Sequence, residues 1–125
     1  MANRIVLIPN DDHPITIEQS DKHVVVKAAG VTLADTKRAL KLSEASYPPV
    51  YYIPREDADL SLLARTDHAT YCPYKGEASY FSIPAGGEHT INAVWSYESP
   101  FAAVAEIKGY LAFYPDRVEV TETQI

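Results

Sequence analysis

The stretch Thr70-Tyr71-Cys72-Pro73-Tyr74-Lys75-Gly76-Glu77-Ala78-Ser79-Tyr80 holds the only cysteine and three of the nine tyrosines. Its proline stops one extended run and its glycine permits the next. Ala69 to Cys72 reads as a strand, Pro73 to Gly76 as a bend, and Glu77 to Ile83 as the strand leaving it. A strand–bend–strand unit at the centre of the chain points to a β domain.

Downstream, Pro84-Ala85-Gly86-Gly87 reads as a turn. His89 to Tyr97 alternates, with Ile91, Ala93, Trp95 and Tyr97 on one face and Thr90, Asn92 and Ser96 on the other. Ser99 to Gly109 carries the strongest helix signals: Ser99 as N-cap, Pro100 at the first helical position, an apolar body, and Gly109 to stop it. Tyr110–Tyr114 and Arg117–Thr121 are expected to close the chain as a hairpin across Pro115-Asp116.

Upstream, Ile5 to Ile8 reads as a short strand or arm, and Asn10 to Pro14 as a loop. Ile15 to Glu18, His23 to Ala28 and Val31 to Asp35 are β-branched strands, the last two paired across an Ala29-Gly30 turn. The segment 36–45 fits strand better than helix, and Val50 to Ile53 is a short aromatic strand between prolines. Arg55 to Leu63 makes one or two helical turns, because Glu56 and Asp57 suit the positive end of a helix dipole. These elements predict one mainly β, antiparallel domain over residues 1–125 with one or two short helices.

Composition limits the function. At 125 residues the chain can bury a core without disulfides, and one cysteine excludes an internal bridge or a multi-cysteine zinc site. A formal charge of −6 argues against nucleic-acid or anionic-membrane partners. The N-terminal apolar run is too short for a signal-peptide core, which predicts a soluble, cytoplasmic protein. His13, His23, His68 and His89 lack metal-ligand spacing, so no metal is expected; no residue pattern names a cofactor.

Tyr51-Tyr52-Ile53-Pro54-Arg55-Glu56-Asp57, the Thr70–Tyr80 run, Trp95-Ser96-Tyr97 with Pro100, and Gly109 to Val120 together resemble the domain-of-unknown-function 427 family. The resemblance covers roughly Pro14 to Val120, and Cys72-Pro73-Tyr74-Lys75-Gly76 is its most recognisable part. It implies a compact fold similar to the β-tent sheets of Mss4-like proteins. The label nucleotidyltransferase-like, sometimes given to the family, finds no support here. The chain lacks a glycine-serine strand–helix turn followed by paired aspartates.

Three functions stay open on the residues. In the first, Arg55 and Lys75 hold a small anionic molecule between walls of Tyr52, Tyr74, Trp95 and Tyr97. In the second, an enzyme uses Cys72 or Tyr74 as its reactive group beside Lys75. His68 as the base for Cys72 would lie about 13 Å away on a straight strand. In the third, a non-catalytic module binds a protein or dimerises through a strand edge. The competing structural roles are a buried Cys72, an Arg55–Asp59 ion pair, a Lys75 pair with Glu77 or Glu56, and core packing for Trp95 and Tyr97. Glu56, Asp57 and Asp59 read as helix-start residues in preference to a cation site.

Overall fold

The structure, a computed structural model, describes residues 4–125; the first three positions of the N-terminal run lie outside the described residues. The strands are β1 (Ile15–Gln19), β2 (Lys22–Ala28), β3 (Val31–Thr36), β4 (Leu40–Glu44), β5 (Val50–Tyr52), β6 (Ala64–Cys72), β7 (Gly76–Ser82), β8 (Val94–Ser96), β9 (Ala112–Phe113) and β10 (Glu119–Gln124). They form three antiparallel sheets, ordered β1-β4-β5, β10-β2-β3 and β6-β7-β8-β9. The mainly β, antiparallel architecture expected from the sequence is the one observed.

The four-stranded sheet is the middle layer, and side-chain alternation along its strands shows why. Phe81, Val94 and Phe113 point into a core with Val24, Val26 and Leu33 of the β10-β2-β3 sheet. Their neighbours Tyr80, Trp95 and Ala112 face the other way, towards Leu42 and Tyr52 of the β1-β4-β5 sheet. Successive residues of a strand point to opposite faces, so β7, β8 and β9 are packed on both faces, while β6 is a mostly exposed edge.

The central stretch folds as read. Cys72 pairs with Gly76 across a three-residue loop, and the Lys75 amide donates to the Cys72 carbonyl at 3.2 Å. Gly76 has φ +111°, a backbone state that side-chain-bearing residues rarely adopt. The 36–45 segment contains a strand, and Arg55 to Leu63 makes two 3-10 turns, Arg55–Asp57 and Leu60–Leu62. Ile5 to Ile8 is an arm: the Leu7 amide donates to the Pro73 carbonyl at 2.9 Å, and the Tyr71 hydroxyl to the Ile5 carbonyl at 2.5 Å.

Three expectations are corrected. The strand expected over His89–Tyr97 is only Val94–Ser96, because Pro84–Thr90 winds as a 3-10 segment kinked at Gly87. Thr90 turns inward to donate to the Ile83 carbonyl at 2.6 Å, and Asn92 takes a left-handed φ of 55°. The expected alternation is broken: Ile91 is exposed and Thr90 and Ser96 are buried, while Ala93 and Tyr97 are buried as expected. The Ser99–Gly109 helix is instead a 3-10 segment, Ala102–Ile107, without a side-chain cap. The segment is kinked at Val104 (φ −126°, ψ 28°), and Val104 and Ile107 are its buried residues. The closing hairpin does not form: β9 pairs with β8, while β10 crosses to β2.

Candidate functional site

Three remote segments meet at one ion pair. Lys75, from the β6–β7 loop, donates through Nζ to Glu44 Oε1 at the end of β4. His13 Nε2, from the Asn10–His13 turn, lies 2.7 Å from Glu44 Oε2. The Lys75 and Glu44 side chains are only 11% and 14% exposed, which makes this a nearly buried pair. Burial pushes the Glu44 carboxyl up, but the hydrogen bonds from Lys75 and His13 outweigh it and hold the group below its ordinary value.

The pair sits at a cavity of about 260 Å³ whose other walls include Tyr52, Tyr80, Trp95, Tyr97 and Tyr114. The Lys75 ammonium lies 5.9 Å from the Tyr97 ring centroid, within cation–π range. Trp95 donates from Nε1 to the Tyr52 hydroxyl at 3.3 Å, and Thr70, Tyr80 and Tyr114 form a hydroxyl chain at 2.8 and 3.3 Å. Burial raises the Tyr52 and Tyr97 phenols far above their ordinary range and pushes Tyr114 up to about 12. These phenols therefore stay protonated at neutral pH and can donate hydrogen bonds.

The structure gathers only part of the sequence-derived site. Tyr52, Lys75, Trp95 and Tyr97 line one cavity. Tyr74 does not line it: its ring stacks on His13 at 4.0 Å and an interplanar angle of 3°. Cys72 is half-buried, does not line the cavity, and packs against the core cluster that holds Tyr52, Tyr80 and Tyr97. His68 packs edge-on against Tyr80, its ring centroid 4.5 Å away.

Arg55 stands elsewhere. Its Nε donates to the Gly109 carbonyl at 2.6 Å, and one terminal nitrogen reaches Ser96 Oγ at 3.2 Å and Glu98 Oε2 at 3.0 Å. Arg65 grips the same Glu98 carboxylate with both terminal nitrogens, at 3.1 and 2.6 Å. That bidentate bond is the main reason the Glu98 carboxyl is held at about 2. Arg55 thus pairs with Glu98 and not Asp59, and Lys75 with Glu44 and not Glu77 or Glu56. Asp57 is taken by Arg38 and Thr36, while Asp59 accepts from the Ser61 amide. Among the described residues no three metal-ligating side chains converge.

Sequence reasoning missed Glu44, His13, Tyr80 and Tyr114. A carboxylate ending a strand of modest hydrophobicity carries no local sign that a lysine 31 residues away will reach it.

The fold and cavity define a mainly β domain with a tyrosine-rich pocket closed by an internal ion pair. The model of the family described as a domain of unknown function (DUF427) matches residues 16–124, and the chain belongs to that family. No curated protein matches it.

Proposed function

We propose that this domain binds a small polar molecule at the Lys75–Glu44 pair, between the faces of Tyr52, Trp95 and Tyr97. The observation that carries the reading is the position of the ion pair. A buried pair is weak evidence for stability, since apolar replacements of similar volume are often as stable. Here the pair borders a cavity, where it presents donors and acceptors to whatever enters. Lys75 has three N–H donors, and only one is spent on Glu44 among the described residues.

The expected anionic ligand takes a different form. Arg55 belongs to Glu98, and the charge of Lys75 is offset by Glu44, so the cavity lining carries no formal excess charge. An anion that takes a free Lys75 donor meets the neighbouring Glu44 carboxylate and its repulsion, whereas a neutral polar group does not. Cys72 does not line the cavity, which weighs against thiol catalysis there. The exposed β6 edge carries a register shift between Arg65 and Ala69 together with Asp67 and His68, features that blunt edge-to-edge dimerisation. With one cysteine and no helix among the described residues long and apolar enough to cross a membrane, a cytoplasmic setting fits this reading.

Trp95 is the only tryptophan and lines the cavity, so its fluorescence reports occupancy directly. Titration with small amides, alcohols, carboxylates and phosphates is expected to shift the emission saturably for the neutral polar compounds. Lys75→Met should weaken that binding at least tenfold. A saturable signal equally strong in Lys75→Met would overturn the reading.

A further inference from the structure

A second cavity, of about 540 Å³, lies against the first, and the two share Tyr47, Pro48, Val50, Trp95 and Tyr114 as lining residues. Its chemistry is the opposite of its neighbour's. Val24, Val26, Ile53 and Phe113, all buried members of the core, form its floor, with Val120 and Pro115 at its sides. Among the described residues no Lys, Arg or His lines it, and the one carboxylate, Glu122, accepts from the Tyr51 hydroxyl at 2.8 Å. The shared wall reaches the surface, since Tyr47 is 65% and Tyr114 36% exposed. A molecule can therefore straddle it. The first cavity alone falls short of the roughly 300–1,000 Å³ of small-molecule sites, while the second lies within that range.

Resting on the pocket reading above, we infer that the ligand is an uncharged amphiphile. Its hydrogen-bonding head sits at Lys75 and Glu44, and its apolar chain runs over the Trp95–Tyr114 wall into the second cavity. The head is neutral because the ion pair already balances its own charge. A carboxamide satisfies both partners, its carbonyl accepting from Lys75 and its N–H donating to Glu44. The chain is apolar because the floor of the second cavity is made of the core side chains Val24, Val26, Ile53 and Phe113.

The test uses primary alkyl carboxamides of increasing chain length, with Trp95 fluorescence and calorimetry as readouts. Alkyl carboxylates and alkylamines of equal length serve as comparison. Affinity for the amides is expected to rise roughly fourfold per added methylene, the factor equivalent to about 0.8 kcal/mol. The charged series should bind more weakly at every length. In Val120→Phe, which fills the second cavity from its side, the dependence on chain length should flatten. If that variant fails to fold, Pro49→Phe at the exposed rim serves the same purpose. Amides that bind through Lys75 with no gain from chain length would overturn the amphiphile and leave the pocket reading standing. Amide affinities unchanged at every length in the Lys75→Met/Glu44→Gln double variant would instead sink the head site. Tighter binding of carboxylates or amines would overturn the neutral head, and silence across all three series would overturn both proposals.

Discussion

Lys75 and Glu44 illustrate how little a single residue's identity says about its role. A lysine in a proline- and glycine-bounded bend suggests a solvent-facing anion hook, yet Lys75 is 9% exposed and its ammonium is already engaged. Removing one partner leaves the other's charge buried. Lys75→Met is therefore expected to cost about 3 kcal/mol in urea unfolding, and the Lys75→Met/Glu44→Gln pair to recover most of that loss. Equal stabilities for the single and double variants would show that the pair is not coupled. Glu98 gives a second residue-scale prediction. Its folded value of about 2 lies below the ordinary 4.5, so the unfolded chain takes up the proton first. The stabilisation from Arg65 and Arg55 is whole above pH 4.5 and is lost as the pH falls towards 2. Glu98→Gln should flatten that part of the Tm-versus-pH curve, with a modest amplitude because the carboxylate is 34% exposed.

The elements show where local signals suffice. β2 and β3 were legible because β-branched alternation and an Ala29-Gly30 turn agree with each other, and β6 and β7 because Pro73 and Gly76 punctuate them. The Ser99–Gly109 segment misleads. Serine, proline and glycine at its ends satisfy every helix signal, but the chain kinks at Val104 between 3-10 turns and buries Val104 and Ile107. The Pro84–Thr90 segment misleads for a related reason: the Thr90 hydroxyl finds a partner in the Ile83 carbonyl and pulls an apparently outward residue inside. A Cβ on Gly86 would stand 2.3 Å from Thr90 Oγ1. Gly86→Ala is thus expected to destabilise by about 1–3 kcal/mol, the usual cost of overpacking. In chemical denaturation, a smaller cost of Gly86→Ala in a Thr90→Ala background than in the native chain would confirm the clash as the cause.

At the scale of the whole molecule, a middle sheet packed on both faces along β7, β8 and β9 must fill two cores, and tyrosine fills much of the one bordering the pocket. Tyr52 and Tyr97 are 1% and 6% exposed, and with Tyr114 they keep their protons well above the ordinary value of 10.0. The unfolded chain ionises its phenols near that ordinary value. Stability should therefore be full below pH 10.0 and fall as the pH rises beyond it. Phenolate absorbance should show these tyrosines titrating late, together with global unfolding. Independent titration of all nine near the ordinary value would refute this.

The sequence by itself determined the antiparallel β character, the β2–β3 hairpin, the central bend and the aromatic richness of the chain. Each is a local property, written in the period of two, in β-branching, or in the φ limits of proline and glycine. Tyr52, Lys75, Trp95 and Tyr97 were legible as site candidates because they flank such punctuated strands. Only the tertiary structure decided that β10 leaves β9 to pair with β2, that Arg55 belongs to Glu98, and that Lys75 belongs to Glu44 and His13. Those partners lie 31 or more residues apart. Their meeting depends on how three sheets share two cores, a property of packing that no local pattern encodes.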